Sequence, residues 1–135
     1  MERTFIMIKP DGVCRKLVGE IISRIEKRDL AITAMKMLTP SRELAEEHYA
    51  AHRGKEFFEP TVEFICSGPI VAMVVEGDNA ITIMRNMIGA LDPTKAVFGT
   101  IRGDFTTSIC QNLIHGSDAP ETAEKEVKLW FPDLG

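Results

Sequence analysis

Along the chain, apolar positions alternate between a strand-like and a helix-like period. Thr4 to Ile8 is a short β-rich run that stops at Lys9-Pro10-Asp11-Gly12, a turn signal, which predicts a strand with Lys9 at its exit. Leu17, Val18, Ile21, Ile22 and Ile25 then recur at helical spacing, with Arg24, Glu26, Lys27 and Arg28 opposite, as an amphipathic helix requires. Ala31 to Leu38 reads as a second strand. Thr39-Pro40-Ser41 stops it and offers a cap for a helix from about Arg42 to His52. A short helix follows over Phe57 to Ile65, then a buried strand over Ile70 to Val75. Asp78 is placed to cap a helix whose core stripe is Ala80, Ile81, Met84, Met87 and Ile88, with Arg85 on its flank.

Residues 89–111 carry no clear periodicity, and an irregular stretch of that length is more often functional than idle. Asn112 to His115 is a candidate short strand. Asp118-Ala119-Pro120-Glu121 opens the last helix, with Asp118 as cap, Pro120 in the first turn and Glu121 in the capping-box position. The order of elements gives two βαβ-like halves and predicts an α+β sandwich, with helices on one face of a mainly antiparallel sheet. No linker, repeat or biased segment divides residues 1–135, so a single domain is expected.

Charge narrows the partners. Sixteen Lys plus Arg face 20 Asp plus Glu, a net charge of −4, and no basic run is long enough to track a polyanion. Nucleic acid is therefore not the expected partner, and phosphate handling needs a few cations gathered in a cleft. The most apolar stretch, Ile70 to Val75, is far shorter than a membrane span. Lys9 and Asp11 interrupt the apolar start, and three cysteines without metal-ligand spacing suit a reducing compartment, so a cytoplasmic protein is expected.

The chain has no P-loop and no G-x-G-x-x-G; Gly54-Lys55 is followed by Glu56, which lacks the required hydroxyl. His115 follows the apolar pair Leu113-Ile114 at a helix entry, where an imidazole can be neutral and nucleophilic; the competing reading is a capped, half-buried histidine. In the last helix, Glu121 with Lys125 and Glu124 with Lys128 form i,i+4 pairs, which leaves Glu126 on the border of the stripe Ala123, Val127, Trp130 and Phe131. Glu126 either orients an imidazole or snorkels to water. Lys9, Arg85 and Arg102 sit at element ends, where they are surface cations or a triphosphate cradle. Phe57-Phe58 offers a ring for a base, or a hydrophobic staple. His48 and His52 are four apart but lack a third metal ligand, so no metal is assigned to protein side chains; Tyr49 packs or offers its hydroxyl to a phosphate.

These residues fall in motifs that resemble the nucleoside diphosphate kinase family over nearly the whole length: T-F-x-x-I-K-P-D-G at Thr4 to Gly12, H-Y at His48-Tyr49, F-F at Phe57-Phe58, S-G-P at Ser67 to Pro69, G-T-I-R-G-D-F at Gly99 to Phe105 and N-x-x-H-G-S-D at Asn112 to Asp118. The resemblance implies a ferredoxin-like α/β sandwich with a four-stranded antiparallel sheet and helices packed on it. It implies a ping-pong transfer of the terminal phosphoryl group from a nucleoside triphosphate such as ATP to a nucleoside diphosphate through phosphohistidine. By motif, His115 is then the nucleophile and Glu126 its orienting carboxylate. Lys9 and Asn112 resemble the residues at the sugar 3′-hydroxyl, Lys9 also facing the transferred phosphate with Tyr49 beside it. Arg85 and Arg102 resemble phosphate clamps, and Phe57 the ring under the base.

The resemblance further implies Mg²⁺ bridging the nucleotide phosphates and a homo-oligomer, a hexamer rather than a tetramer. Three departures stand against the pattern. Leu91 occupies the place of a usual threonine and cannot donate to a phosphate, Glu56 stands where proline is frequent, and the sequence stops soon after Trp130-Phe131, short of the longer tail of many relatives. Leu91 is the main support for the competing function, a slow or non-catalytic nucleotide-binding or interaction module on the same fold.

Overall fold

The computed structural model describes residues 1–134. Its centre is β1 (Glu2–Ile8), whose last five residues are all buried, without the alternation of a half-exposed strand. Such a run fits a strand covered on both faces. β1 pairs antiparallel with β3 (Ile70–Gly77) on one side and with the three-residue β4 (Ile114–Gly116) on the other. β2 (Ala31–Leu38) pairs antiparallel with β3, with an irregularity between Ile32 and Ala34, and the sheet order is β2-β3-β1-β4.

The pleat sends alternate side chains to opposite faces. Ile6, Ile8, Val71, Met73 and Val75 pack with Ile21 and Ile25 of α2 (Val18–Lys27) and Met84 and Ile88 of α5 (Ala80–Ile88). Phe5, Met7, Ile70, Ala72 and Val74 pack on the other side. Their partners there are Ala45 of α3 (Arg42–His48), Val62 and Ile65 of α4 (Phe58–Ile65), and Val127 and Trp130 of α7 (Pro120–Trp130). The antiparallel four-stranded sandwich is as expected, but helices cover both faces rather than one. The uninterrupted apolar runs of β1 and β3 require it, since each strand has two faces to remove from water.

Several local expectations are corrected. Ser41 does cap α3, accepting from the Leu44 N–H at 3.1 Å, but that helix ends at His48, and Ala50–His52 is a separate 3₁₀ turn. Asp78 does not cap α5. Asn79 precedes it in left-handed backbone, and the Ile81 N–H is instead accepted by Glu2 Oε1 of β1 at 2.9 Å, a non-local cap that no local window reveals. Ala119, not Asp118, precedes α7, and its extended backbone carries no side-chain cap. Glu124 turns to Arg3 of β1, 2.6 Å away. The aperiodic stretch 89–111 contains α6 (Ile101–Phe105), capped by Thr100 through the Gly103 N–H. A five-residue helix is too short to show a period.

Candidate active site

The exit of β1 and the entry of β4 meet because of the sheet register. Met7 lies opposite His115, so the chain leaving β1 at Lys9 runs beside Leu113, and the Lys9 N–H donates to the Leu113 carbonyl at 2.8 Å. Leu113 is buried and held at φ 73°, a left-handed conformation that disfavours a branched side chain. Its N–H donates to Asp11 Oδ2 at 3.0 Å. One peptide segment is thus gripped from both sides by the turn after β1, now the short helix α1 (Pro10–Cys14). Gly12 permits the approach: a Cβ there would come within 3.1 Å of the Leu113 oxygen and 2.7 Å of Ile8. Reading Lys9-Pro10-Asp11-Gly12 as a turn signal missed this role of Asp11, for which local sequence holds no cue.

Asn112 and His115 flank that pinned segment. His115 Nε2 lies 3.0 Å from Glu126 Oε1, and Ser117 Oγ–H donates to the same oxygen at 2.6 Å. Burial alone pushes the Glu126 carboxyl up, but the hydrogen bond and charge of His115 outweigh it and hold it below the usual carboxylate range. Glu126 is therefore an anion, it takes the Nε2 proton as acceptor, and His115 Nδ1 has no hydrogen-bond partner among the described residues. Glu126 is buried against His115 and does not snorkel to water.

The cations converge. Arg102 is buried, and its guanidinium donates to the carbonyls of Ile114 at 2.7 Å, Gly89 at 3.3 Å and Asn112 at 3.3 Å. Burial, then the charge of Arg85, pushes Arg102 down to about 10. Arg85 Nη1 donates to the Gly116 carbonyl at 3.2 Å, which requires α5 to lie close on β4; a Cβ on Gly116 would meet Ile88 at 2.7 Å. Lys9 is buried as well, and desolvation followed by the charge of Arg102 pushes its ammonium down to about 8, with Asp11 opposing. Asn112 donates through Nδ2 to the Ile109 carbonyl at 2.8 Å.

Lys9, Tyr49, Arg85, Arg102, Asn112, His115 and Glu126 all line one cleft of about 660 Å³, the size of a site for a small organic ligand. Phe57 is the nominated residue outside that lining. Its ring is exposed and tilts against His52, which does line the cleft, at a centroid distance of 5.1 Å. Leu91, 51% exposed, also stands on the wall. The Tyr49 hydroxyl is buried without a hydrogen-bond partner among the described residues, and burial, then Glu126, raises its pKa, so it is a neutral donor.

His48, considered with His52 as a metal ligand, instead lies edge-on to His115, with ring centroids 4.8 Å apart. His48, His115 and Glu126 place three potential ligand atoms within 4.8 Å of one another, but Trp130 Nε1–H donates to His48 and Ser117 to Glu126, which makes the cluster a hydrogen-bonded network. Among the described residues no helix is long and apolar enough to cross a membrane.

A sequence model described as nucleoside diphosphate kinase matches residues 2–134. A nucleoside diphosphate kinase of Trichormus variabilis is 61% identical over 133 residues, covering 98% of this chain and 89% of its own length. One of Archaeoglobus fulgidus is 57% identical over 133 residues, with 98% and 88% covered. The structure of a halophilic nucleoside diphosphate kinase from Halobacterium salinarum in complex with CDP superposes with a TM-score of 0.93 at 48% identity, over 96% of this chain and 87% of that one.

Proposed function

From the premise that the chain belongs to the nucleoside diphosphate kinase family, and is thus an enzyme of phosphoryl transfer between nucleotides, we propose that it works by a ping-pong route through phosphohistidine on His115. One observation carries the reading: Glu126 engages Nε2 of His115 at 3.0 Å and leaves the lone pair on Nδ1 in a cleft with three cations.

Nδ1 forms a bond to the terminal phosphorus of the nucleoside triphosphate while the bond to the bridging oxygen breaks. The diphosphate leaves with that electron pair, and Lys9, Arg85 and Arg102 offset its charge. The ring gains positive charge as the N–P bond forms, and the Glu126 anion on the far nitrogen stabilises it. A second nucleoside diphosphate then attacks the phosphorus by the same path in reverse. Tyr49 and Asn112 hold the sugar and phosphate side, and Phe57 stacks on the base. Mg²⁺ carried in on the nucleotide would offset phosphate charge, with few or no ligands from the protein's side chains.

Purified protein incubated with γ-labelled ATP tests this: an acid-labile label on protein, discharged by GDP, supports the enzyme route, and nucleotide binding without labelling supports the module reading. Glu126→Gln keeps the shape and removes the charge, so phosphorylation of the protein slows on the order of 100-fold while nucleotide affinity changes little. An unaltered rate removes Glu126 from this role. Lys9 gives a pH signature. Because its ammonium titrates at about 8, its charge is present at pH 7 and mostly gone at pH 9. ADP affinity then falls up to about tenfold across that interval. Lys9→Gln, which has no proton to lose, flattens the dependence in calorimetric titrations.

The assembled enzyme is a homo-oligomer, a hexamer rather than a tetramer, in the cytoplasm. The uncovered edge strand β2 supports association, with Met35 and Met37 exposed at 54% and 60% on a row of unpaired backbone groups. Sedimentation velocity separates the assemblies.

A further inference from the structure

α7 makes two hydrogen bonds to imidazoles from one face: Glu126 to His115 and, one turn later, Trp130 Nε1–H to His48 Nδ1 at 3.0 Å. Spacing of four residues puts both side chains on the same side of the helix. His48 Nδ1 also lies 3.7 Å from the second carboxylate oxygen of Glu126, too long for a hydrogen bond and within reach of an ion pair. Two imidazoles thus compete for one carboxylate, and the indole N–H sits on the competing nitrogen.

We propose that Trp130 and His48 form a positioning pair that reserves Glu126 for His115: by donating to His48 Nδ1, the indole fixes the tautomer with the proton on Nε2 and bars His48 from becoming a cation paired with Glu126. An N–H donor needs a lone pair to accept it, so Nδ1 cannot carry a proton while the Trp130 bond is made. The surroundings act in the same direction. His48 has a side-chain exposure of 1%, and burial pushes its pKa down to about 3. Among the groups facing it, His115 of β4, Lys9 after β1 and His52 of the 3₁₀ turn lower it further, whereas Glu126 of α7 raises it; Tyr49 packs edge-on and is neutral. Glu126 is therefore the one group drawing a proton onto His48, through the nitrogen that Trp130 occupies.

This inference rests on the reading of Glu126 as the partner of the phosphorylated imidazole, but its first test does not. Nitrogen-15 spectra of the wild-type histidine rings, with His48 and His115 assigned by substitution, report tautomer and charge without any turnover. His48 is expected to carry its proton on Nε2 and to stay neutral down to pH 5; titration near pH 6, or a proton on Nδ1, overturns the proposal. Failure of phosphotransfer through His115 would leave this spectrum untouched, so the two readings fail separately.

The second test removes the donor. Trp130→Phe keeps the ring in the core and deletes the N–H, which frees Nδ1. Burial still keeps the freed ring neutral, so its proton moves to Nδ1, on the side of the second oxygen of Glu126. Nitrogen-15 spectra of Trp130→Phe are expected to show His48 with its proton on Nδ1, and phosphorylation of the protein slows severalfold. Adding His48→Phe, whose ring has no N–H to give, returns the rate toward wild type. A proton kept on Nε2 in Trp130→Phe, or a rate not restored in the double variant, overturns the proposal. Lost packing alone predicts neither the change of tautomer nor the rescue.

Discussion

Replacing His115 by Ala is expected to abolish labelling from γ-labelled ATP and to lower phosphoryl exchange by a factor on the order of 10⁵, the scale seen when a covalent nucleophile is removed. The protein should remain folded. His115 is partly exposed at the cleft and contributes no apolar core contact comparable to those of Ile114 before it, which is fully buried. The substitution does leave Glu126 without its imidazole partner, yet Ser117 still donates to the same carboxylate oxygen at 2.6 Å, so the anion is not orphaned. Nucleotide binding should survive, since Lys9, Arg85 and Arg102 keep their places. Retained labelling in His115→Ala would move the nucleophile elsewhere. Retained binding with lost labelling places the defect in chemistry alone.

Arg102→Ala is expected to be the most damaging single change to fold and binding together. The guanidinium ties the Gly89 carbonyl at the end of α5 to the carbonyls of Asn112 and Ile114 around β4. Truncation leaves three acceptors without that donor in a buried setting, and a loss of about 3 kcal/mol or more follows, a large fraction of a typical domain's margin. Chemical denaturation should show a lower midpoint. Nucleotide affinity falls as well, because one of the three cations lining the cleft is gone. Arg102→Lys separates these effects: an ammonium restores charge but not the forked geometry, so affinity recovers more than stability. Equal recovery of both would show that charge, not the fork, matters at this position.

The central architecture could be read from short runs. Thr4 to Ile8 declares itself as a strand by its β-rich run and the turn signal after it, Ile70 to Val75 as a buried strand by continuous apolarity, and the stripe from Leu17 to Ile25 declares its helix. The number of covered faces was harder to read, because a sheet's second layer of helices is set by where α3, α4 and α7 return, not by any one segment. Contacts made across long separations were hidden in the same way. The Glu2 cap on α5, the Arg3 pairing of Glu124 and the grip of Asp11 on Leu113 each join residues about 80 to 120 apart, and no window spans them.

The site was legible unevenly, and for physical reasons. His115 with Glu126 could be inferred because a carboxylate on an apolar border needs a partner. On a helix running from Arg42 to His52, His48 has only His52 as a neighbour for metal binding. Once that helix ends at His48, the ring turns into the core and meets His115 instead. Nor does sequence report that Lys9 and Arg102 are buried, although burial moves the titration of both.

The grip on Leu113 also has a consequence for how the enzyme comes into being. Asp11 and Leu113 are 102 positions apart, and β1 stands between β3 and β4 at the middle of the sheet. During synthesis the first strand therefore emerges long before either β4 or α7 exists to cover it, with Phe5, Ile6, Met7 and Ile8 bare. A topology dominated by such distant pairings folds slowly. Phosphate chemistry is accordingly confined to the finished chain, and the emerging one is a ward of whatever shields sticky segments near the ribosome.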